Sequence, residues 1–355
     1  MSDHARAAYA AVSDTLPRAS ALPRAAFADA HVFAAEQALV FHAGWMPVAR
    51  ESDLAQPGAY RSVDVGGAPL VVTRDAAGEI HVLSRVCRHR GMPVVEGAGV
   101  AKALTCPYHL WRYGLDGKLA AAPGMERSET FDRDDCDLPS IATTRWGGWV
   151  FANVDGKAPP LDPQVAPLAE RLSPFAPQDM VTVDTISLES PWNWKLMVEN
   201  FLESYHHIGP HAGTLQKTNP GLITYEGQGG DLFTILENPP AGEGNHGFVV
   251  AAIFPTTLLF FSEGTPLATW YELDAIEHGR FRLNIHLLAH PDLAVIPEFA
   301  AGFRAQVMTI HDEDIPACEG AQKGVMSPLY TPGPLSHLEA SVWRLHRFLK
   351  ARLAV

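Results

Sequence analysis

The stretch VCRHRGMPVVEGAGVAKALTCPYHLW, residues 86–111, decides how the first half of the chain folds. It contains Cys87-x-His89, sixteen intervening residues, and then Cys106-x-x-His109. Two thiolates and two imidazoles, in two close pairs joined by a loop, make a four-ligand site for a thiophilic metal. A structural zinc site draws on the same donors. Three details favour iron. Each pair mixes one Cys with one His, the pairs fall on β-hairpin turns and not on a helix, and the flanks CRHRG and CPYHLW are distinctive.

Upstream of this stretch, residues 62–87 alternate short β-rich runs with turns at Gly66-Gly67 and at DAAG, 75–78. GGWVFANVDG at 147–156 supplies a closing strand, so residues 42–155 read as a compact all-β unit. Residues 1–41 read as a lead-in, the first 25 of them mobile or loosely packed. Six prolines between 159 and 177 make 156–180 a domain boundary or an extended surface crossing. From 181 to 355 strands mix with helices. VTVDTISLES (181–190) is strand-like, and NWKLMVENFLESYHH (193–207) predicts a helix running to Gly209-Pro210. Three long β runs follow at 248–261, 267–276 and 280–290. Ser336 opens a capping box ahead of an apolar stripe of Leu338, Val342, Leu345 and Leu349. The expected class is α+β.

Composition narrows the functions available. Twenty-seven basic residues against 40 acidic ones give a net charge of -13 with no Lys/Arg cluster, which argues against nucleic acid. The longest apolar run is broken by Thr and Pro and is too short for a bilayer span. The N-terminus has no continuous apolar segment and no twin arginine, so no secretory signal is read. Four cysteines are too few for a disulfide scaffold, and a reducing cytoplasm is the expected location.

The Cys/His stretch resembles the Rieske [2Fe–2S] domain, in which two histidines replace two cysteines on one iron. The resemblance implies that Cys87 and Cys106 hold the inner iron, and His89 and His109 the outer, more exposed one. One departure is Leu110, where the family commonly has Gly before Trp111. A cluster alone would fit a mere electron carrier, so a second constellation matters.

Residues 199–211 read ENFLESYHHIGPH. On a continuous helix Glu199, Glu203 and His206 share a face, while His207 is turned about 100° away. A break at Gly209-Pro210 lets His211 fold back towards His206. Two imidazoles and one later carboxylate would complete the facial triad of a non-haem Fe(II) oxygenase. Together the two constellations resemble the large (alpha) subunit of Rieske non-haem iron oxygenases, from WMPVAR at 45 through the C-terminal helix. The implied second domain is an antiparallel sheet covered by helices, a helix-grip-like fold.

In that family a Glu-Asp pair opens a helix that continues with Cys, Glu, Gln and Gly. Glu313-Asp314, Cys318, Glu319, Gln322 and Gly324 follow the pattern, which implies Asp314 as third ligand, with Asp312 and Glu313 as a solvated acidic helix start. By resemblance Glu203 hydrogen-bonds the second Rieske histidine, His109, of a neighbouring subunit in a head-to-tail homotrimer. Many relatives have Asp at this position; those that oxidise quaternary amines have Glu. Asn200 and Tyr205 match the motif and are expected near the iron. Cys136 and Cys318 lack spaced partners and read as inert.

The implied function is a terminal oxygenase that uses O2 and electrons from NAD(P)H to hydroxylate or oxidatively demethylate a small organic substrate. A cis-dihydroxylating aromatic-ring dioxygenase is the alternative, and a Rieske electron-transfer protein the alternative class. No nucleotide-binding fingerprint is present. NAD(P)H must therefore act through a separate reductase, with or without a ferredoxin. Phe254, Phe260, Phe261, Trp270 and Tyr271 are candidates for a substrate pocket, serving an N-methylated amine through cation–π contact or a neutral aromatic or alicyclic acid.

Overall fold

The computed structural model describes residues 3–354. The chain packs as two units: Trp45–Pro159, and the residues up to Gly44 together with those from Pro160 onward. The joins, at 44/45 and 159/160, fall three residues from the expected start of the all-β unit and within the proline-rich 156–180, while the lead-in and the segment from 160 to 180 pack with the second unit instead of standing apart.

The Trp45–Pro159 unit is built of short strands: β1 (Met46–Arg50), β2 (Ala59–Val65), β3 (Ala68–Arg74), β4 (Ile80–Ser84), β5 (Ala98–Val100), β6 (Leu104–Thr105), β7 (Arg112–Tyr113), β8 (Leu119–Ala121), β9 (Ala142–Trp146) and β10 (Trp149–Asn153). They form three antiparallel sheets, ordered β1-β10-β9, β4-β3-β2-β5 and β6-β7-β8. Gly66 and Gly67, with φ of 53° and 81°, make the tight β2–β3 turn, as a two-residue hairpin requires. Cys106 and His109 lie on the β6–β7 hairpin turn. Cys87 and His89 lie on a short turn of their own, closed by an antiparallel bridge between Val86 and Pro93 and by the bonds from Cys87 N–H to the Met92 carbonyl at 2.9 Å and from Val94 N–H to the Arg85 carbonyl at 2.8 Å. Beneath both loops Val94, Leu104, Trp111, Leu119 and Leu138 form an apolar floor.

In the second unit the N-terminal segment forms α1 (Asp3–Tyr9), α2 (Arg24–Ala28) and α3 (Ala30–Glu36). Far from being loose, α1 buries Ala5, Ala8 and Tyr9. Its alanines offered no hydrophobic pattern to read, but small side chains allow close packing, and Tyr9 donates to the buried Glu36 at 2.8 Å. Lys195 Nζ and Trp194 Nε1 reach the same carboxylate at 2.8 and 2.9 Å. The proline-rich stretch folds as α4 (Leu161–Gln164) and α5 (Ala166–Leu172), burying Leu161, Val165, Leu168 and Leu172. Pro167 stands in the first turn of α5, where a missing N–H costs nothing.

The remaining elements are β11 (Val181–Ser190), α6 (Trp194–Phe201), α7 (Leu215–Thr218), β12 (Tyr225–Glu226), β13 (Phe233–Asn238), β14 (Phe248–Ile253), β15 (Thr257–Ser262), β16 (Leu267–Glu277), β17 (Arg280–Ala289), α8 (Pro291–Ala294), α9 (Phe299–Met326) and α10 (Ala340–Leu353). The strands make one antiparallel sheet, ordered β11-β17-β16-β15-β14-β13-β12. Every residue of β14 is buried, which suits its continuous apolar run. The Ser336 capping box forms just before α10, which buries Val342, Leu345 and Leu349. The class is α+β, an antiparallel sheet with helices packed on it. No helix among the described residues is long and apolar enough to cross a membrane.

Candidate metal centres

The predicted helix 193–207 is shorter than its sequence suggests. α6 ends at Phe201, and a separate 3-10 turn, Tyr205–Ile208, carries the histidines. The cause is local: the Glu203 carboxylate accepts the backbone N–H of His206 at 3.0 Å, a donor that a continuous helix would have directed at residue 202. Gly221 presses against this turn so closely that a Cβ there would lie 2.0 Å from the Ser204 carbonyl oxygen. The break redirects Glu199, which leaves the shared face and bonds His346 Nε2 at 2.9 Å. Glu203 and His206 remain together, their side chains 2.7 Å apart at His206 Nδ1.

The acidic segment also sits differently from the expectation. Glu313 and Asp314 do not open a helix; they lie in the middle of the 28-residue α9. Apolar residues continue the helix N-terminally from Asp314, with Ile310, Val307 and Phe303 on the same face. Pro316 lies inside α9 and supplies no N–H to the Asp312 carbonyl. Mid-helix burial makes Asp314 a partner for His211 Nε2 at 3.0 Å and His206 Nε2 at 3.4 Å, both through Oδ1. Asn200 Nδ2 donates to the same oxygen at 3.2 Å.

Glu313 is not a solvated helix start. Its Oε2 accepts from His211 Nδ1 at 2.7 Å and from Thr214 Oγ1 at 2.6 Å. Each of the two imidazoles thus has a carboxylate behind Nδ1 and directs Nε2 towards Asp314. Among the described residues, His206, His211 and Asp314 are the one group of three or more His, Cys, Asp or Glu side chains whose donor atoms all lie within 4.8 Å. The electrostatics agree. Burial works against a charge on His206, yet its bonds to Asp314 and Glu203 outweigh this and raise its pKa to about 10. His211 is raised in the same way, and Asp314, despite its burial, is held below the usual carboxylate range by both imidazoles. His207 behaves otherwise: burial takes it down to about 4, and its Nδ1 lies 2.8 Å from the Asn219 carbonyl.

A cavity of about 240 Å³ opens above this group. Alternate residues of three strands line it, among them Phe248, Val250, Phe260 and Tyr271, with Phe303 and Ile310 from α9. Of the five candidate aromatics only Phe260 and Tyr271 reach it. Phe254 packs on Phe348, Phe261 on Phe175, and Trp270 on His286, all away from the cavity. Glu203 and Asn200 line it as well, but Tyr205 does not; the residue is 38% exposed. Nothing in sequence spacing pointed to Glu313 or Thr214, about a hundred residues apart, beyond the adjacency of Glu313 to Asp314.

In the other unit Cys87 and Cys106 are buried, and His89 and His109 are half-buried with ring centroids 4.6 Å apart. Tyr113 OH lies 3.3 Å from Cys87 Sγ, and His89 stacks on Trp111 at 5.0 Å. His109 Nδ1 is buried without a hydrogen-bond partner, as an atom reserved for a metal would be. The four donors divide by burial, each cysteine lying deeper than either histidine, as an inner and an outer iron would require. That fits a two-iron cluster better than one tetrahedral zinc. Leu110, which stands where a glycine was expected, has φ of 59° in the left-handed region. Cys136 and Cys318 are free, and burial raises both thiols, Cys318 to about 12.

Comparison with known proteins gives matches over both units. A family model described as the Rieske [2Fe-2S] domain matches residues 44–137. One described as the ring hydroxylating alpha subunit catalytic domain matches 177–354. The carnitine monooxygenase oxygenase subunit of Acinetobacter pittii is 34% identical over 54% of this chain and 52% of its own length. The glycine betaine monooxygenase oxygenase subunit of Chromohalobacter salexigens is 34% identical over 58% and 45%. The match thus spans about half the length of these relatives. A solved quaternary ammonium Rieske monooxygenase in complex with L-carnitine superposes with a TM-score of 0.84 at 24% identity, covering 94% of this chain and 96% of its own. A naphthalene 1,2-dioxygenase bound to phenanthrene reaches 0.82 at 18%, over 96% and 94%. These two establish a shared fold.

Proposed function

Because the chain belongs to the family of ring-hydroxylating alpha subunits that carry a Rieske domain, we propose that it is the oxygenase component of a multicomponent Rieske oxygenase. Its reaction inserts one oxygen atom of O2 into a C–H bond of a small organic substrate. The second atom leaves as water, and two electrons and two protons balance the equation. The electrons originate in NAD(P)H and enter through a separate reductase. On an N-methyl group the hydroxylated carbon departs as formaldehyde, completing a demethylation.

The observation that carries this reading is the convergence of His206 Nε2, His211 Nε2 and Asp314 Oδ1 at the base of an apolar cavity. These three would hold the mononuclear iron, while Cys87, His89, Cys106 and His109 would hold the cluster. When bound, the iron supplies a site where O2 is reduced beside the substrate. Glu203 and Glu313 fix the tautomer of the two imidazoles, each holding the Nδ1 proton so that Nε2 is free to ligate. Asn200 holds Asp314 Oδ1 in place. The aromatic wall excludes water and presents π faces that suit an N-methylated or quaternary amine, the substrate type named for the relatives at 34% identity. A pure electron carrier would leave this constellation without a purpose.

In the assembled enzyme, a homotrimer, Glu203 is the bridge to His109 of the partner subunit. Exposed apolar side chains flank both ends: Tyr108 and Leu110 beside His109, and Tyr205 and Ile208 after Glu203. Such patches suit a docking face. The expected location is the cytoplasm. Iron and acid-labile sulfide analysis with a visible spectrum, followed by substrate-dependent O2 uptake with a surrogate reductase, tests the proposal. A colourless zinc protein would overturn it. Ring dihydroxylation is the second reading, supported by the phenyl-rich wall, and cis-diol products would select it.

A further inference from the structure

The charge distribution around the cavity bears on which amines it admits. Of the described residues lining it, the ionisable ones are Glu203, Asp314, Tyr271 and three histidines; none is Lys or Arg. The cations nearest in sequence to lining residues are engaged elsewhere or exposed. Arg304, next to Phe303, donates to Asp184 at 2.8 Å. Arg171 is bound to Glu237 and to Glu263, the neighbour of Ser262. Lys217, two residues beyond Leu215, is exposed. The hydrogen-bonding groups away from the metal group are neutral: Ser204, Ser262, Thr265, Thr269, Tyr271 and Gln306, of which Thr265 and Gln306 are solvent-exposed.

A carboxylate taken into such a space loses its hydration beside two further carboxylates, and apart from the iron these would help to hold there is no Lys or Arg in the lining to pair with it. A trimethylammonium group meets π faces and a negative surround. Resting on the reading of the cavity as an amine site, we infer that its substrate carries no carboxylate: it is a tertiary or quaternary amine whose polar end is a hydroxyl or amide, held by Ser262, Thr265 or Gln306. The selection acts against the wrong ligand as much as for the right one.

The test uses the full chain loaded with both iron centres and measures equilibrium binding by calorimetry. Choline and glycine betaine share the trimethylammonium head and differ at the other end, hydroxyl against carboxylate. Choline is expected to bind about tenfold tighter or more. Gln306→Arg places a cation at the exposed edge of α9 and is expected to close or reverse that gap, with the visible spectrum of the cluster reporting that the variant is folded. Glycine betaine binding as tightly as choline to the unmodified protein would overturn the inference and leave the oxygenase reading intact, as would a Gln306→Arg variant with an unchanged ratio. Binding of naphthalene and of neither amine would overturn the amine reading itself. Substrate-dependent O2 uptake with naphthalene would then show whether the oxygenase reading survives.

Discussion

Glu313 offers the sharpest test of how the iron site is held. Its Oε2 accepts from both His211 Nδ1 and Thr214 Oγ1, so Glu313→Ala frees the imidazole to rotate and removes the charge behind it. A hydrogen bond to a charged acceptor contributes about 1.5–3 kcal/mol. The Glu313 side chain is 26% exposed, which places the loss at the lower end of that range. About 1.5 kcal/mol corresponds to roughly tenfold in iron affinity, the lower edge of what groups behind metal-bound histidines generally contribute. Competition with a ferrous chelator at neutral pH measures the change, with the cluster absorbance as an internal control on folding. Glu313→Gln retains an acceptor without the charge and is expected to fall between the two. Thr214→Val, which removes a donor but leaves the His211 contact, is expected to lose only a few-fold. If Glu313→Ala held iron as tightly as the unmodified chain, the positioning role would be refuted.

The other predictions concern separate parts of the molecule. His206→Ala or Asp314→Ala is expected to lose the mononuclear iron while keeping the cluster's visible spectrum, as metal analysis of each variant would show. Glu203→Gln is expected to retain both centres yet slow the transfer of electrons from cluster to iron, followed by stopped-flow reoxidation; undiminished turnover would remove the bridge. Leu110→Gly relieves a left-handed backbone strain of about 1–2 kcal/mol and returns about 0.5–1 kcal/mol of chain entropy to the unfolded state. A net gain of between zero and about 1.5 kcal/mol is expected in denaturant melts, and a loss would contradict the strain argument. His207, at about 4 when folded against 6.5 as its ordinary value, takes up its proton in the unfolded chain first. Its contribution to stability is complete above 6.5 and declines as pH falls towards 4, by about 1.4 kcal/mol per pH unit. Metal-free His207→Gln is expected to flatten that part of the stability curve.

Much of this architecture was legible because it depends on local pattern. The Cys87/His89 and Cys106/His109 pairs, the β runs from 248 to 290 and the capping box at Ser336 all encode structure within a few residues. The errors fall where tertiary contact overrides pattern. The helix through His207 ended at Phe201 because one side chain, Glu203, captured a backbone donor. The lead-in was misjudged because alanine packing leaves no periodic signature, and the contacts that fix it, such as Tyr9 to Glu36 and Glu36 to Lys195, link distant positions. Glu313 was read as solvated because a carboxylate's partner 102 positions away has no trace in spacing. The aromatic candidates divided by strand parity. Phe260 and Tyr271 face the cavity while Phe261 and Trp270, one residue away, face the other side of the sheet.

Three carboxylates, two given roles by the sequence resemblance and the third read as solvated, determine what the centre requires. Glu203, Glu313 and Asp314 surround two imidazoles, in a setting where burial penalises any uncompensated charge. Two positive charges are needed to bring this group near balance. Without a metal the imidazoles supply them by holding protons, which is why His206 and His211 are raised despite their burial. A divalent ion supplies the same charge while both Nε2 atoms are deprotonated, so metal and protons compete for one set of donors. Even with a divalent ion bound, three carboxylates leave the group one negative charge in excess. Two of the three, Glu203 and Asp314, line the cavity, where negative charge favours a cationic head group and disfavours a carboxylate. The arrangement proposed to hold the iron is thus also the one proposed to select the substrate.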